Sequence, residues 1–262
     1  VIIFILVFVA IFSPVLASHN PNEQRLDYAF QHPCIEYPFG TDDFGRCIFS
    51  RIIFGTRISL ETGIIVTAVS SFIGVFLGLL AGFYGGIIDE IIMRIVDVFL
   101  AFPGLILALV VAGLLGPGMS NVIFALSMVG WMGYARVVRG VVLAEKEKEF
   151  VETAKSLGAS DFYIMYHHLL PNVIAPVIVM ASIGIGYAIV AAAGLSFLGL
   201  GVQPPTAVWG SMLNEGKAYL QTAPYLTIFP GFAIMITVLA FNFLGDGLRD
   251  LLDPRFEKQK LE

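Results

Sequence analysis

The 262-residue chain is 57% hydrophobic and 13% charged, with a mean hydropathy of +0.85, a balance that excludes an ordinary water-soluble domain and defines an all-α integral membrane protein. Its net charge of −5 carries no message about nucleic acid, because Lys and Arg are scattered at the ends of apolar runs, where they snorkel and anchor.

Charge-free runs occupy 1–18, 62–88, 98–135, 169–214 and 218–245. A spanning helix needs about 20 apolar residues at about 1.5 Å each, so 98–135 is too long for one crossing. Gly113-Leu-Leu-Gly-Pro-Gly118 divides it. The prolines of Gly199-Leu-Gly-Val-Gln-Pro-Pro205 end the fourth run early. The reading is six transmembrane helices, at 1–17, 62–84, 93–114, 119–140, 173–198 and 226–245.

The first of these starts in apolar sequence, with no basic leader and only a faint small-residue cleavage pattern at Val15-Leu-Ala17-Ser-His. It reads as a membrane helix whose cytoplasmic start lies outside this sequence, with a signal peptide as the alternative. The chain then divides into 1–61 (first helix and an external loop), a core at 62–248 and a tail at 249–262. Between Phe44 and Leu60, Arg46, Ser50 and Arg57 fall on one helical face and Ile48, Phe49 and Ile52 on another, the pattern of a helix lying along the outer membrane surface. Cys34 and Cys47 share this loop, and an oxidising exterior permits a disulfide worth up to about 3 kcal/mol. His32 beside Cys34 lacks the partner set of a metal site.

In the second span, Gly74, Gly78 and Gly82 are four residues apart, the spacing that allows one membrane helix to approach another closely. Asp97 lies one turn after Arg94, so it either pairs there or faces the pathway or bundle. Asn242 and Asp246, near the end of the last span, suit interhelical hydrogen bonding better than substrate contact. Ser70, Ser71, Ser127 and Ser182 either line a cavity or bond their own backbone.

Residues 141–171 are a polar interruption. Glu145-Lys-Glu-Lys-Glu149 is a solvated face, after which Phe150, Val151, Ala154, Leu157 and Gly158 form an apolar stripe, with Glu152, Lys155 and Ser156 facing away. Gly158 can end that helix; Ser160 or Asp161 can cap a second; Pro171 marks return to the membrane. His167 and His168 belong to the packing of this module. Alternate loops place ten basic residues on the side of this insert and of the C-terminus, against Arg25, Arg46, Arg51, Arg57 and Lys217 opposite, which puts the insert and C-terminus inside the cell.

The insert resembles the "EAA" signature of ABC-importer permeases, Glu-Ala-Ala, three residues, Gly, nine residues, Ile-x-Leu-Pro. It maps onto Glu152-Thr153-Ala154, Gly158 and His168-Leu169-Leu170-Pro171, with Thr153 and His168 departing from the pattern. Phe39-Gly-Thr-Asp-Asp-Phe-Gly-Arg46, Met93-Arg-Ile-Val-Asp97, Gly194-Leu-Ser-Phe-Leu-Gly-Leu-Gly201 and Phe241-Asn-Phe-Leu-Gly-Asp-Gly-Leu-Arg249 are similar to the dipeptide, oligopeptide and nickel branch, as its second permease.

The resemblance implies a type I ABC importer permease fold in a bacterial or archaeal inner membrane, moving peptides or nickel chelates. It implies that Glu152, Thr153, Ala154, Leu157, Gly158, Leu170 and Pro171 form a cytoplasmic coupling helix and its flank. The partners implied are a homologous second permease, two ATP-binding cassette subunits that hold ATP and Mg²⁺, and an external solute-binding protein docking on 18–61 and 199–225. The chain itself has no Gly-x4-Gly-Lys-Ser/Thr phosphate loop, so it is expected to carry no cofactor and no catalysis. A secondary transporter would want more intramembrane ionisable groups than Asp97 and an internal repeat. An aspartyl intramembrane protease would need glycine where Phe243 precedes Gly245-Asp246 by two.

Overall fold

A computed structural model describes residues 1–252, which are helical throughout apart from loops and one isolated bridge between Thr41 and Cys47. In chain order the helices are α1 (Ile2–Ile11), α2 (Ser13–Leu16), α3 (Ile48–Tyr84), α4 (Gly86–Leu100), α5 (Gly104–Leu115), α6 (Met119–Glu145) and α7 (Glu149–Ser156). They continue as α8 (Asp161–Ile164), a π turn (Met165–Leu169), α9 (Leu170–Phe197), α10 (Trp209–Gly216) and α11 (Tyr225–Leu252). Four helical stretches are long and apolar enough to cross a membrane: Ile48–Tyr84, Met119–Glu145, Asp161–Phe197 and Tyr225–Leu252. The pair α4 and α5 would make a fifth span if taken as one, but bends by 88°.

Three boundaries differ from those expected. The span placed at 93–114 is broken, because Pro103 lacks the N–H that would continue α4 and sterically excludes its predecessor from the helical region. Its carbonyl instead opens α5, accepting from the N–H groups of Ile106 and Leu107. No separate surface helix precedes the second span, since α3 runs 37 residues without interruption, about 55 Å at 1.5 Å per residue.

The span expected at 173–198 begins earlier, at Asp161, with Pro171 inside it. Asp161–Phe197 is continuous, and the π turn just ahead of Pro171 widens the ladder where the ring would meet the carbonyl four residues back. At the start of the chain, α1 is a ten-residue apolar helix that gives way at Phe12 to the short α2.

The chain forms two compact units, Val1–Ile65 with Ala108–Leu126 and Ile185–Asn242, and Val66–Leu107 with Ser127–Gly184 and the segment from Phe243. The first has a core of Ile48, Leu60, Ile189, Trp209, Leu226 and Phe241. In the second, Phe83, Val138, Val142, Val151, Ile164 and Leu169 form one cluster, and Val96, Met132 and Ala135 another.

Candidate functional site

The segment 149–171 folds as a capped helix, a glycine turn and the start of a long helix. Glu149 and Glu152 lie in the first turn of α7 and Lys155 in its last, each sign matched to the helix dipole. At the C-terminus the Ala159 N–H donates to Ala154 O (3.1 Å) and the Gly158 N–H to Lys155 O (2.9 Å), the two bonds of a Schellman turn. Gly158 sits at φ +80°, where an L residue is strained. Ala154 and Ala159 pack against the same core cluster, giving the apolar contact that accompanies such a turn. Ser160 then caps α8, its Oγ accepting from the Tyr163 N–H.

Only part of the expected stripe faces inward. Val151 is fully buried with Val142, Ile164 and Leu169, and Ala154 packs beside it. Leu157 is 83% exposed and Phe150 is also exposed, because Leu157 closes the helix at the residue before the turn and is carried out of register with Val151. Glu152, Thr153, Lys155, Ser156 and Gly158 are exposed too, as is Pro171, whereas Leu170 is half-buried. α7 thus has an anchored side and a free side that mixes charge with an uncovered leucine and phenylalanine. His167 stacks on Tyr163 at 4.2 Å and His168 lies near Phe150.

The anchor extends into α3 and α6. Lys155 Nζ lies 5.3 Å over the Phe83 ring, and Lys146 Nζ donates to Gly82 O at 2.9 Å. A Cβ built on Gly74, Gly78 or Gly82 would come within 2.4 to 2.7 Å of Tyr134, Ala135 O or Val142 on α6. α3 and α6 therefore touch backbone to side chain along three helical turns.

Asp97 pairs with Arg136 of α6 at 2.6 Å rather than with Arg94, and Asp89 takes both Nε and Nη2 of Arg139. Asp97 and Arg136 are both more than half exposed, so their pair contributes little to stability. Asn242 is half-buried beside Gly186 and Asp246 is exposed; among the described residues neither side chain has a hydrogen-bond partner. Ser71 and Ser182 bond carbonyls of their own helices, whereas the buried hydroxyls of Ser70 and Ser127 have no partner among the described residues.

A charge cluster was hidden in the loop and the start of α3. Arg46, expected on the polar helix face, and Arg51 beside it are 2% and 1% exposed. Arg46 Nε donates to Asp42 Oδ2 (2.6 Å) and its Nη2 to Glu215 Oε2 (2.8 Å) of α10, while Arg51 Nη2 reaches the same Glu215 oxygen at 3.1 Å. Asp42 also accepts from the N–H groups of Phe44 and Arg46. Burial, then the neighbouring Asp42 charge, pushes the Asp43 carboxyl above its usual value. Only Arg57 of the expected polar face is exposed, paired with Glu61. Cys34 is an exposed free thiol and Cys47 a buried one.

Helices long and apolar enough to cross a membrane define a membrane protein, and α7 is a short polar helix between two of them. Residues 74–258 match the family of binding-protein-dependent transport system inner membrane components, and the chain belongs to that family. It is 45% identical over 98% of its length to the dipeptide transport system permease protein DppC of Alkalihalophilus pseudofirmus, covering 84% of that protein. It is 46% identical to the glutathione transport system permease protein GsiD of Pectobacterium atrosepticum, over 97% of this chain and 85% of that one. A chain of the MetNI methionine ABC transporter in an inward facing conformation superposes with a TM-score of 0.61 at 19% identity, over 78% of this chain and 96% of that one. The protein is an ABC-importer inner-membrane permease, a non-catalytic component that works with an ATPase and a solute-binding protein.

Proposed function

We propose that the chain forms half of the membrane pathway of an importer of small peptides, pairs with a second permease, and takes its motion from two ATP-binding subunits through the helix at 150–160. The cytoplasmic side of this helix and of the C-terminus is supported by the ten-to-five distribution of basic residues; the tail from residue 253 lies outside the described residues. Peptides are favoured over nickel chelates because the relatives are named for dipeptide and glutathione transport. ATP and Mg²⁺ belong to the partner subunits.

One observation carries the coupling role. α7 is anchored by Val151 to the cluster that also holds α3, α6 and the start of α9, while its opposite side presents Leu157, Phe150 and Glu152 uncovered. A helix seated in a groove of an ATPase would bury that free side, and its displacement would pass through close-packed side chains rather than be absorbed by a loop.

Gly158→Pro, Gly158→Ala and Glu152→Lys in the reconstituted complex test this. Proline cannot adopt φ +80°, alanine there costs about 1–2 kcal/mol, and lysine reverses charge on the free side. Uptake and transport-stimulated ATP turnover should fall most with Gly158→Pro while membrane insertion persists. Normal uptake with both Gly158→Pro and Glu152→Lys would reject the coupling role, as would labelling of Lys155 from outside the cell.

A further inference from the structure

Within the second compact unit, α3 and the start of the Asp161–Phe197 helix enclose a groove of about 380 Å³. Phe72, Phe76 and Leu80 form one bank, and Phe162, Met165 and Tyr166 the other. Every residue that lines it is apolar or aromatic, and the Tyr166 hydroxyl is the one polar side-chain group. From Phe72 to Leu80 the groove follows α3 for about 12 Å, at 1.5 Å per residue.

Nothing in the chain covers it. Phe72, Phe76, Phe162 and Tyr166 are each more than half exposed, even though Phe162 and Tyr166 stack on one another along their bank. Behind these rings Leu79, Met165 and Leu170 pack on the cluster of Phe83, Val142 and Ile164, so the floor is fixed. Residues 72–80 fall inside the charge-free stretch 62–88, where the surrounding medium is hydrocarbon and an open apolar trough is no liability. Shape and apolarity alone would suit an acyl chain or a neighbouring apolar helix equally.

Charge decides between them. The face of α3 that carries Phe72, Phe76 and Leu80 continues one turn further to Phe83, and the ammonium of Lys155 sits 5.3 Å over that ring. Beside it, Lys146 Nζ donates to Gly82 O at 2.9 Å. Neither ammonium is paired with a carboxylate among the described residues, whereas Lys148 takes Glu145. Two cations without a counter-charge therefore stand where the apolar groove ends and the chain leaves the hydrocarbon. A lipid lying in the groove brings a phosphate to that end; a neighbouring apolar helix does not. Lysines at the cytoplasmic edge of a span favour lipids of net negative charge.

We propose that the groove holds an acyl chain of a phospholipid of net negative charge in the cytoplasmic leaflet, with the phosphate at Lys155 and Lys146. The groove belongs to α3 and the start of the Asp161–Phe197 helix, and Lys155 to α7, so one lipid ties all three together. The site goes beyond the importer reading and requires only that 141–171 lie inside the cell, whatever the cargo of the chain.

The test uses the complete transporter complex in phosphatidylcholine nanodiscs that carry a small fraction of a photoactivatable lipid. The probe is phosphatidylglycerol or phosphatidylcholine, each with the same diazirine-bearing acyl chain. After irradiation, adducts on the two banks, read by mass spectrometry of peptides, are expected about fivefold or more in favour of phosphatidylglycerol, the preference one juxtamembrane lysine confers. Lys146→Gln with Lys155→Gln should abolish that preference while adducts persist, since glutamine can still donate to Gly82 O and the groove stays open. Leu80→Trp, which fills the groove, should remove most adducts from both probes; Ile228→Trp, exposed on α11 and not lining the groove, should leave them unchanged. Equal labelling by the two probes in the unaltered chain overturns the site and reduces it to ordinary contact with bulk lipid. Banks that stay unlabelled and cross-link to protein also overturn it, and assign the groove to a second chain. If Leu80→Trp does not assemble, the lysine variant decides: a preference for phosphatidylglycerol that survives it overturns the proposal. Each of these outcomes leaves the importer reading untouched, which stands or falls on uptake.

Discussion

Arg46→Met should lower the unfolding free energy by about 3–5 kcal/mol, the cost of breaking a buried ion pair from one side. The reason lies in what remains. Asp42 Oδ2 would keep only Arg51 Nε at 3.7 Å, and Glu215 only its 3.1 Å contact with Arg51, so two carboxylates would share one guanidinium at a nearly dry site. Adding Asp42→Asn should restore part of the loss, because the orphaned charge goes while its amide oxygen still accepts from Phe44 and Arg46 N–H. Thermal or denaturant unfolding of the purified complex reads both. A loss under 1 kcal/mol for the single variant, or no recovery in the double, would show that the cluster is hydrated and contributes little.

Gly78→Val should be the next most damaging change. A Cβ at residue 78 would sit 2.7 Å from Ala135 O and 2.8 Å from Val138 Cβ, and neither a backbone carbonyl nor a Cβ can rotate away. Relief requires α3 and α6 to separate, which also loosens the contacts of Gly74 and Gly82. Overpacking of this kind costs about 1–3 kcal/mol, of which the better helix propensity of valine over glycine offsets only a small part. Gly140→Ala on α6, where an added Cβ meets nothing within 4 Å, should instead be neutral or stabilising by up to about 1 kcal/mol. Equal effects of the two substitutions, measured as the midpoint of thermal unfolding, would contradict a close helix crossing at Gly78.

Local chemistry explains what was readable along the insert. A glycine after a short helix and a serine before the next act through bonds to residues within a few positions, so the turn at Gly158 and the cap at Ser160 are present in the sequence itself. The direction of Leu157 was not, since its three-residue spacing from Ala154 placed it on one apolar stripe that the helix end interrupts. Arg46 was misplaced for a related reason. A charged residue at helical spacing looks like a wet face when its neutralising partner, Glu215, lies more than 160 residues further along the chain.

Hydrophobicity by itself determined that this chain is a helical membrane protein with spanning-length segments near 62–84, 119–140, 173–198 and 226–245, because each residue's transfer free energy is a property of that residue. The same sum could not see the 88° bend after Leu100, where apolarity continues while Pro103 interrupts the hydrogen-bond ladder. Only the tertiary structure decided which glycines touch α6, which guanidiniums are dry and which side of α7 stays open. Those are outcomes of pairwise proximity, and proximity between distant residues is set by how the helices pack.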